Sequence, residues 1–433
     1  MSFSTDTRTI KEGDTYIAIR GERYDGHDFV QEALNKGAER AIVERTIDGV
    51  CITRLKVVPD SIEYIAGVAQ SKVNRARAQV IAITGSVGKT TTRNAVTQVM
   101  QAAGNVVSSV GNLNTLLGLS LTLANSEIRK NSRLVLEMGA SKKGDLSEIC
   151  QYFKPDISIV TNVRGVHLEM LGTIEGVREE KCEIVRALDP TGIACLNADD
   201  KLTRGMMSDC KGSYLLYGMA SDADVTPRQI TAETGLLGRH VTYILLAAFA
   251  AGTAVGIAPH TINEALSRLK PEKGRLNRLP ARRGAVLIDD SYNASPDAVE
   301  AALGVLVEQT ARRRIAFLGD MLELGDSEQE AHKKVLQKAV KVADVIYGCG
   351  PRMQSAAMEL SSILQENVQC FSDSNELVSE LLYGGIYRPE LGDVILVKGS
   401  QGSRMERVSR VLLAEDISPE SVLPRQNEAW LSI

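Results

Sequence analysis

The feature that most constrains the fold is a glycine-rich loop between an apolar strand and a helix. The segment QVIAITGSVGKTTT begins at Gln79 as a strand and continues beyond the loop as a predicted helix to Ala103, where Gly104 ends it. Glycines let backbone N–H groups close around phosphate oxygens, and the helix N-terminus adds partial positive charge. Lys89 supplies a full charge, and the Thr90 hydroxyl suits magnesium. The predicted nucleotide-binding residues are Gly85, Ser86, Val87, Gly88, Lys89, Thr90 and Thr91.

Strands and helices alternate through the middle of the chain. Strand-like segments cover Leu134–Met138, Ile157–Asn162 and Ile193–Asn197, and helix-like segments at Tyr243–Val255 and Thr261–Leu269 follow them. This alternation predicts an α/β domain with a mostly parallel sheet that is covered on both faces.

The last third of the chain repeats the alternation. Its predicted strands lie at 286–290, 314–320, 344–350 and 393–400, and its predicted helices lie at 297–308, 328–342 and 404–414. The pattern favours a second, Rossmann-like α/β domain. Its glycines form no GxGxxG motif, so a dinucleotide is not implied.

The length of 433 residues is too great for one ordinary core. We predict three domains. The first is a small N-terminal α/β domain (1–77), with strand-like segments at Asp14–Ile19 and Ala41–Glu44 and a helix-like segment at Asp28–Gly37. The second is a central domain (78–280) whose glycine-rich phosphate loop (P-loop) binds a nucleotide, and the third is a C-terminal Rossmann-like domain (281–433). We expect a monomer.

Composition excludes several partners. The net charge is −4 with both signs interspersed, which gives no support for nucleic acid or an anionic membrane as a partner. No apolar run approaches the ~20 residues that span a bilayer, and the N-terminus lacks the apolar stretch of a signal peptide. The seven cysteines form no CxxC pair, which favours reduced thiols and a cytoplasmic location.

Three residues downstream of the loop are candidate metal ligands. Glu137 ends an apolar strand, His167 follows the next one, and Lys181 lies on the helix after that, among three glutamates. Each also has a structural explanation, as a strand-end carboxylate, a loop histidine and part of a solvated helix face. The residues alone leave both interpretations open.

Ten sequence blocks, in order, resemble the Mur ligase family, the peptide-adding enzymes of bacterial cell-wall precursor synthesis. The blocks are TGSVGKTTT (84–92), GNLNT (111–115), EMGA (137–140), HLEMLGTIEGVREEKCEI (167–184), LNADD (196–200), GRH (238–240), GRL (274–276), DDSYNASPDA (289–298), LGDMLELG (318–325) and VKGS (397–400). The N-terminal TRTIKEGDTYIAIRGERYDGHDF narrows the resemblance. DSYNASPDA (290–298), GDMLELG (319–325) and KGS (398–400) with RME (404–406) shortly after narrow it further. All four resemble the family member that adds D-alanyl-D-alanine to UDP-N-acetylmuramoyl tripeptide.

The resemblance implies an ATP- and magnesium-dependent peptide ligase that acts through an acyl phosphate. It implies catalytic or metal-binding roles for Lys89, Thr90, Glu137, His167 and Lys181, with Lys181 carbamylated by CO2 into an oxygen donor for the cation. It implies further nucleotide contacts at His240, Arg275, Asp290 and Asn293. It implies substrate contacts at Thr7, Arg8, Gly21, Asp25, Gly26, His27, Tyr292, Lys398, Ser400 and Arg404.

Val241 and Ile244 stand where the family usually has asparagines that help to hold adenine. Three alternative functions remain at this point. They are another amide-forming ligase or cyclase with a different acid, a P-loop ATPase or GTPase, and a non-catalytic relative that only binds the precursor.

Overall fold

The computed structural model describes residues 2–21, 24–165, 168–360 and 366–431. Within these residues the strands form three sheets. Contacts divide the chain into two compact units. The first unit comprises Met1–Arg164, Thr173–Thr231 and Ile244–Leu266, and the second comprises Gly165–Gly172, Ala232–Tyr243 and Ser267–Ile433.

The N-terminal sheet has four short parallel strands in the order β1-β2-β3-β4. Its elements are β1 (Phe3–Ser4), β2 (Thr15–Ile17), α1 (Val30–Asn35), β3 (Arg40–Val43), β4 (Leu55–Val57) and α2 (Ser61–Ala76). Asp60 begins α2 by accepting a hydrogen bond from Glu63 N at 2.8 Å. The apolar side of α2 packs against α4 (Leu116–Asn125), which joins this sheet to the central one.

The central sheet is parallel throughout, in the order β10-β9-β8-β5-β7-β6. Its strands are β5 (Gln79–Thr84), β6 (Val106–Ser108), β7 (Arg133–Glu137), β8 (Ile157–Val160), β9 (Ile193–Asn197) and β10 (Ser213–Tyr217). Its helices are α3 (Lys89–Gln101), α4, α5 (Asp145–Tyr152), α7 (Ile174–Arg186), α8 (Lys201–Arg204), α9 (Val241–Val255) and α10 (Pro259–Leu266). The short helix α6 (Leu168–Leu171) belongs to the second unit. Strands β5, β7 and β8 are buried almost end to end, as expected for a sheet that is covered on both faces.

The third sheet has the order β11-β12-β16-β13-β14-β15, with only β11 antiparallel to its neighbour among the described strands. Its strands are β11 (Asn277–Pro280), β12 (Val286–Asp290), β13 (Arg313–Gly319), β14 (Val345–Cys349), β15 (Val368–Phe371) and β16 (Asp393–Lys398). Its helices are α11 (Pro296–Glu308), α12 (Glu328–Ala339), α13 (Pro351–Met358), α14 (Ser374–Ser379), α15 (Glu406–Leu412), α16 (Pro419–Val422) and α17 (Glu428–Leu431). Apolar side chains fill both faces of this sheet.

The predicted α/β class with mostly parallel sheets is confirmed, and some element bounds are corrected. The helix predicted at 404–414 begins at Glu406, because Arg404 has a left-handed φ of 53°. Six strands were not predicted, namely β1, β4, β6, β10, β11 and β15. No helix in the described parts of the chain is long and apolar enough to cross a membrane.

Candidate active site

The glycine-rich loop joins β5 to α3, and its shape depends on two glycines. Gly88 precedes the first helical residue with a left-handed φ of 83°. At Gly85, φ is 148° and an added Cβ would lie 1.9 Å from the Thr161 side-chain oxygen. The loop therefore adopts the strand–turn–helix form that the sequence predicted, with α3 starting at Lys89.

Two polar residues just beyond β8 fasten this loop. Asn162 accepts hydrogen bonds from Val87 N through its side chain and from Ser86 N through its backbone carbonyl, both at 3.0 Å. Thr161 Oγ1 donates to the Val87 carbonyl at 2.8 Å. The sequence analysis missed both residues as parts of the site. The sequence feature that could have identified them is a pair of polar residues at the carboxyl end of a buried parallel strand.

The Lys89 ammonium lies against the loop. Its Nζ donates to the carbonyl of Gly85 at 2.9 Å and to that of Ser86 at 3.3 Å. Thr90 and Thr91 occupy the first turn of α3 and are half-buried. The charge and the hydroxyls are thus placed beside the backbone N–H groups at the helix start, which suits a phosphate group.

Glu137 is the last residue of β7 and is 3% exposed. Asn114 Nδ2 donates to its Oε1 at 3.1 Å, and the buried Arg93 lies 3.6 Å from its Oε2. Oε2 accepts no hydrogen bond from the described residues. Glu137 Oε2 is therefore a buried carboxylate oxygen that can still accept a ligand bond, which fits a role in binding a hard cation.

Lys181 is buried in α7, with 2% of its surface exposed. The interpretation of this residue as part of a solvated helix face is therefore wrong. Burial, together with the charge of Lys89, lowers the pKa of the Lys181 amine to about 7, although Glu180 acts in the opposite direction. The Glu180 carboxylate itself accepts hydrogen bonds from Gly144 N and Leu146 N, both at 2.7 Å, at the start of α5.

The candidate ligand His167 lies outside the described residues. Among the residues that the structure describes, no three His, Cys, Asp or Glu side chains form a group that could hold a metal ion. The predicted ligands within that part of the chain are a hydroxyl (Thr90), a carboxylate (Glu137) and an amine (Lys181).

The second unit brings another group of predicted residues together at the carboxyl ends of β12 and β16. Lys398 Nζ contacts Asp290 Oδ2 at 2.6 Å and donates to the carbonyl of Asn293 at 2.8 Å. Lys398 is fully buried, and burial lowers its pKa, an effect that Asp290 opposes. Asp290 Oδ1 also accepts from Leu276 N at 3.2 Å. Lys398 thus holds the loop Asp290–Asn293 in place.

Arg275 and Tyr292 lie beside this loop. The Arg275 guanidinium is 4.3 Å from the centre of the Tyr292 ring, and Tyr292 N donates to the Gly274 carbonyl at 3.1 Å. Burial lowers the pKa of His240, and the negative charge of the nearby Asp290 opposes this effect.

Ser400 and Arg404 are engaged by other groups of the same unit. Ser400 Oγ donates to the Asp320 carbonyl at 2.6 Å. Arg404 contacts Glu406 Oε1 through Nε at 2.6 Å and donates to the Trp430 carbonyl through Nη2 at 2.6 Å. The sequence analysis missed both Asp320 and Glu406 as parts of the site. Asp320 lies in the block LGDMLELG (318–325), and Glu406 lies in the segment RME (404–406) that narrows the family resemblance.

The predicted N-terminal substrate residues lie in the segments that follow β1 and β2, and His27 is buried in the second of these. Its Nδ1 donates to Asp25 Oδ1 at 2.6 Å, while its Nε2 accepts from Glu44 N at 2.9 Å. The backbone N–H and the imidazole of His27 hold the pKa of Asp25 well below its usual range. Because both ring nitrogens are used within the fold, His27 shapes this turn and has no free donor for a ligand.

The turn is also tight at Gly26, where an added Cβ would lie 2.6 Å from Ile19 N. Gly21 N donates to the Tyr24 carbonyl at 2.9 Å within the same turn. Thr7 Oγ1 donates to Glu32 at 3.0 Å. Arg8 is exposed and pairs with a neighbouring carboxylate, so its guanidinium is accessible to a ligand.

Three family models match the chain. They are described as Mur ligase family, catalytic domain (residues 2–86), Mur ligase middle domain (residues 83–252) and Mur ligase, glutamate ligase domain (residues 274–401).

Two similar curated proteins are both called UDP-N-acetylmuramoyl-tripeptide–D-alanyl-D-alanine ligase. The protein from Bacillus subtilis (strain 168) is 30% identical, and the match covers 96% of this chain and 93% of that protein. The protein from Escherichia coli (strain K12) is 31% identical over 94% of this chain and 93% of that protein.

Solved structures show the same architecture. A crystal structure of MurF from Acinetobacter baumannii matches with a TM-score of 0.83 and 26% identity, over 95% of this chain and 93% of that one. The MurF ligase from Thermotoga maritima, solved in complex with ADP, matches with a TM-score of 0.81 and 28% identity, over 95% of this chain and 96% of that one.

Proposed function

The chain belongs to the Mur ligase family, and we propose that within this family it joins D-alanyl-D-alanine to UDP-N-acetylmuramoyl tripeptide. The family consists of ATP-dependent ligases that form amide bonds in peptidoglycan precursor synthesis, and this chain is such a ligase. The names of the two curated relatives support the finer choice of substrates. We place the activity in the cytoplasm, where ATP and UDP-linked precursors are available.

The observation that carries the proposal is the buried Lys181, which shares a unit with the P-loop. An ordinary P-loop ATPase has no need of a lysine that is 2% exposed and whose pKa is lowered to about 7. A ligase that must neutralise several phosphate and carboxylate oxygens does need an additional oxygen donor for a cation.

We propose that Lys181 supplies this donor as a carbamate. The neutral amine attacks the carbon of CO2, and the nitrogen loses a proton to water, which leaves an N-carboxylate with one negative charge. The lowered pKa makes the neutral amine available near neutral pH. The buried Oε2 of Glu137, which accepts no hydrogen bond from described residues, fits the same cation.

The chemistry proceeds in two transfers. The tripeptide carboxylate attacks the γ-phosphorus of ATP, which gives an acyl phosphate and ADP. The amine of the dipeptide then attacks the acyl carbon, and inorganic phosphate leaves. Lys89 and the loop N–H groups orient the phosphates, and Thr90, Glu137 and carbamylated Lys181 would hold magnesium. When bound, the ion neutralises charge on the transferring phosphoryl group.

Residues of the second unit would bind the remaining parts of the substrates. Arg275, Asp290 and Asn293 would contact the nucleotide, and His240 lies near them. Tyr292 would line the same region. Lys398, Ser400 and Arg404 would shape the surface that the dipeptide meets, chiefly by fixing the backbone that they contact. The N-terminal residues Thr7, Arg8, Gly21, Asp25 and Gly26 would bind the uridine nucleotide, with His27 holding the turn.

ADP release across a panel of substrates tests the proposal. We expect release only with both UDP-N-acetylmuramoyl tripeptide and D-alanyl-D-alanine present, and tripeptides that end in lysine or diaminopimelate should be compared. Equal release with either substrate omitted would contradict the ligase assignment. Turnover only with a different acid would identify another amide ligase, and binding without release would identify a non-catalytic relative.

A further inference from the structure

Arg425, in the segment after α16, contacts the loop that carries Asp290 and Asn293. Its Nη2 donates to the Ser291 carbonyl at 2.6 Å, and its Nη1 donates to the Tyr292 carbonyl at 3.0 Å. The side chain is 5% exposed. Two consecutive carbonyls of this loop are therefore held by one guanidinium.

A buried carboxylate fixes the position of that guanidinium. Arg425 Nη2 lies 2.9 Å from Glu406 Oε2, while the other oxygen of Glu406 is paired with Arg404 at 2.6 Å. The Glu406 side chain is 1% exposed. A buried carboxylate with two arginine partners holds both at defined positions, because loss of either partner would leave charge uncompensated.

The same cluster extends to Arg275 through an aromatic ring. The Arg425 guanidinium is 5.5 Å from the centre of the Tyr292 ring, and that of Arg275 is 4.3 Å from it. A shift of the ring would therefore displace Arg275 as well as the loop backbone.

We propose that Arg425 is a positioning residue for nucleotide binding, which fixes the loop Asp290–Asn293 and, through Tyr292, Arg275. This inference rests on the proposed function, in which those residues contact the nucleotide. The match to the Mur ligase glutamate ligase domain ends at residue 401, so Arg425 lies outside it.

Calorimetric titration of the full-length protein with ADP tests the role. We expect Arg425→Met to weaken ADP binding about tenfold, because a displaced loop loses directed contacts to the nucleotide. The matched control is Arg313→Met. Arg313 makes a two-point ion pair with the buried Asp393 at 2.7 and 2.8 Å, at the opposite ends of β13 and β16 from Lys398. The control should lose thermal stability yet bind ADP within about twofold of the unchanged protein.

Arg425→Lys covers the case in which Arg425→Met does not fold. Lysine keeps a positive charge beside the Glu406 carboxylate, but it cannot donate to both the Ser291 and Tyr292 carbonyls as the planar guanidinium does. We therefore expect an intermediate ADP affinity and a nearly unchanged thermal stability. Unchanged ADP affinity in Arg425→Lys would overturn the proposal. So would a folded Arg425→Met that binds ADP no more weakly than the Arg313→Met control does. ADP binding needs neither acid nor amine, so its outcome is separate from that of the substrate panel.

Discussion

Lys181 is almost completely buried beside another lysine, so its charged form is disfavoured by loss of solvation and by repulsion from Lys89. The positive charge of Lys89 disfavours the protonated form of Lys181 and so lowers its pKa. In the described part of the chain, no ion pair includes Lys181. Arg186, on the same helix, forms ion pairs with the carboxylates of Glu179 and Glu183 at 2.7 and 2.9 Å. The chemistry of Lys181 therefore has to come from its neutral amine.

Replacing Lys181 by alanine tests its role directly. We expect Lys181→Ala to lower turnover by orders of magnitude with the fold intact, and added acetate to restore part of it by supplying a carboxylate oxygen. Lys154→Ala is the control, because Lys154 is exposed and paired with Asp189 at 2.5 Å. Turnover like that of the unchanged protein in Lys181→Ala would contradict the proposed ligand role and leave Glu137 and His167 as the remaining candidates.

The lowered pKa of Lys181 predicts how activity depends on CO2. Below a pH of about 7 the amine is protonated and cannot attack CO2, whereas above it the neutral amine predominates. In CO2-depleted buffer we expect activity to fall. Re-addition of CO2 to the same dissolved concentration at both pH values should restore activity faster at pH 8 than at pH 6, because more of the amine is neutral at pH 8. Initial rates after CO2 addition measure this. Rates of recovery that are independent of pH, or no loss on depletion, would argue against a carbamate.

At the scale of elements, the glycine-rich loop depends on close packing rather than on flexibility. Gly85→Ala would place a methyl group 1.9 Å from the Thr161 oxygen at a φ of 148°. We expect the loop to be displaced and ATP binding to be weakened at least about tenfold, as measured by calorimetry.

Gly67→Ala in α2 is the matched glycine control. An added Cβ there meets nothing within 4 Å. We expect unchanged ATP affinity and a stability gain of roughly 0.5–1 kcal/mol, because alanine favours a helix interior more than glycine does. Similar ATP affinities in the two variants would show that the loop tolerates a side chain at Gly85.

The start of α9 predicts weak recognition of adenine. Val241 and Ile244 are buried, at 8% and 5% exposure, and offer no polar side-chain atoms. Two lost hydrogen bonds would cost roughly 0.5–1.5 kcal/mol each. We therefore expect a high KM for ATP and poor discrimination against GTP in steady-state assays. A selectivity for ATP above about a hundredfold would show that other groups read the base.

The strands that the sequence analysis missed share one position. β1 and β4 are the two edges of the N-terminal sheet, β10 and β6 are those of the central sheet, and β11 and β15 are those of the third. Each is partly exposed, so it lacks the continuous apolar run by which β5 or β12 is recognised. An edge strand forms because the rest of the sheet offers it a strand to pair with. A local sequence pattern does not contain that information.

At the scale of the whole molecule, the sequence was most informative where local pattern and chemistry coincide. The strand–glycine–helix motif predicted the P-loop, and the strand-end rule located Glu137. The predicted domain borders at 77/78 and 280/281 remain predictions. Local pattern could not show that Lys181 is buried, since the residues around it on the helix are charged. It also could not show that Arg425 reaches a loop more than a hundred residues away.

The most direct test of the central claim follows one oxygen atom. The tripeptide, labelled with ¹⁸O in its reacting carboxylate, is incubated with ATP and D-alanyl-D-alanine, and the released phosphate is analysed by mass spectrometry. If the enzyme forms an amide bond through an acyl phosphate, one labelled oxygen passes to phosphate for each peptide bond made, and none passes when the dipeptide is omitted. Phosphate that carries no label while ADP accumulates would show that water, not the carboxylate, attacks ATP, and would contradict the account.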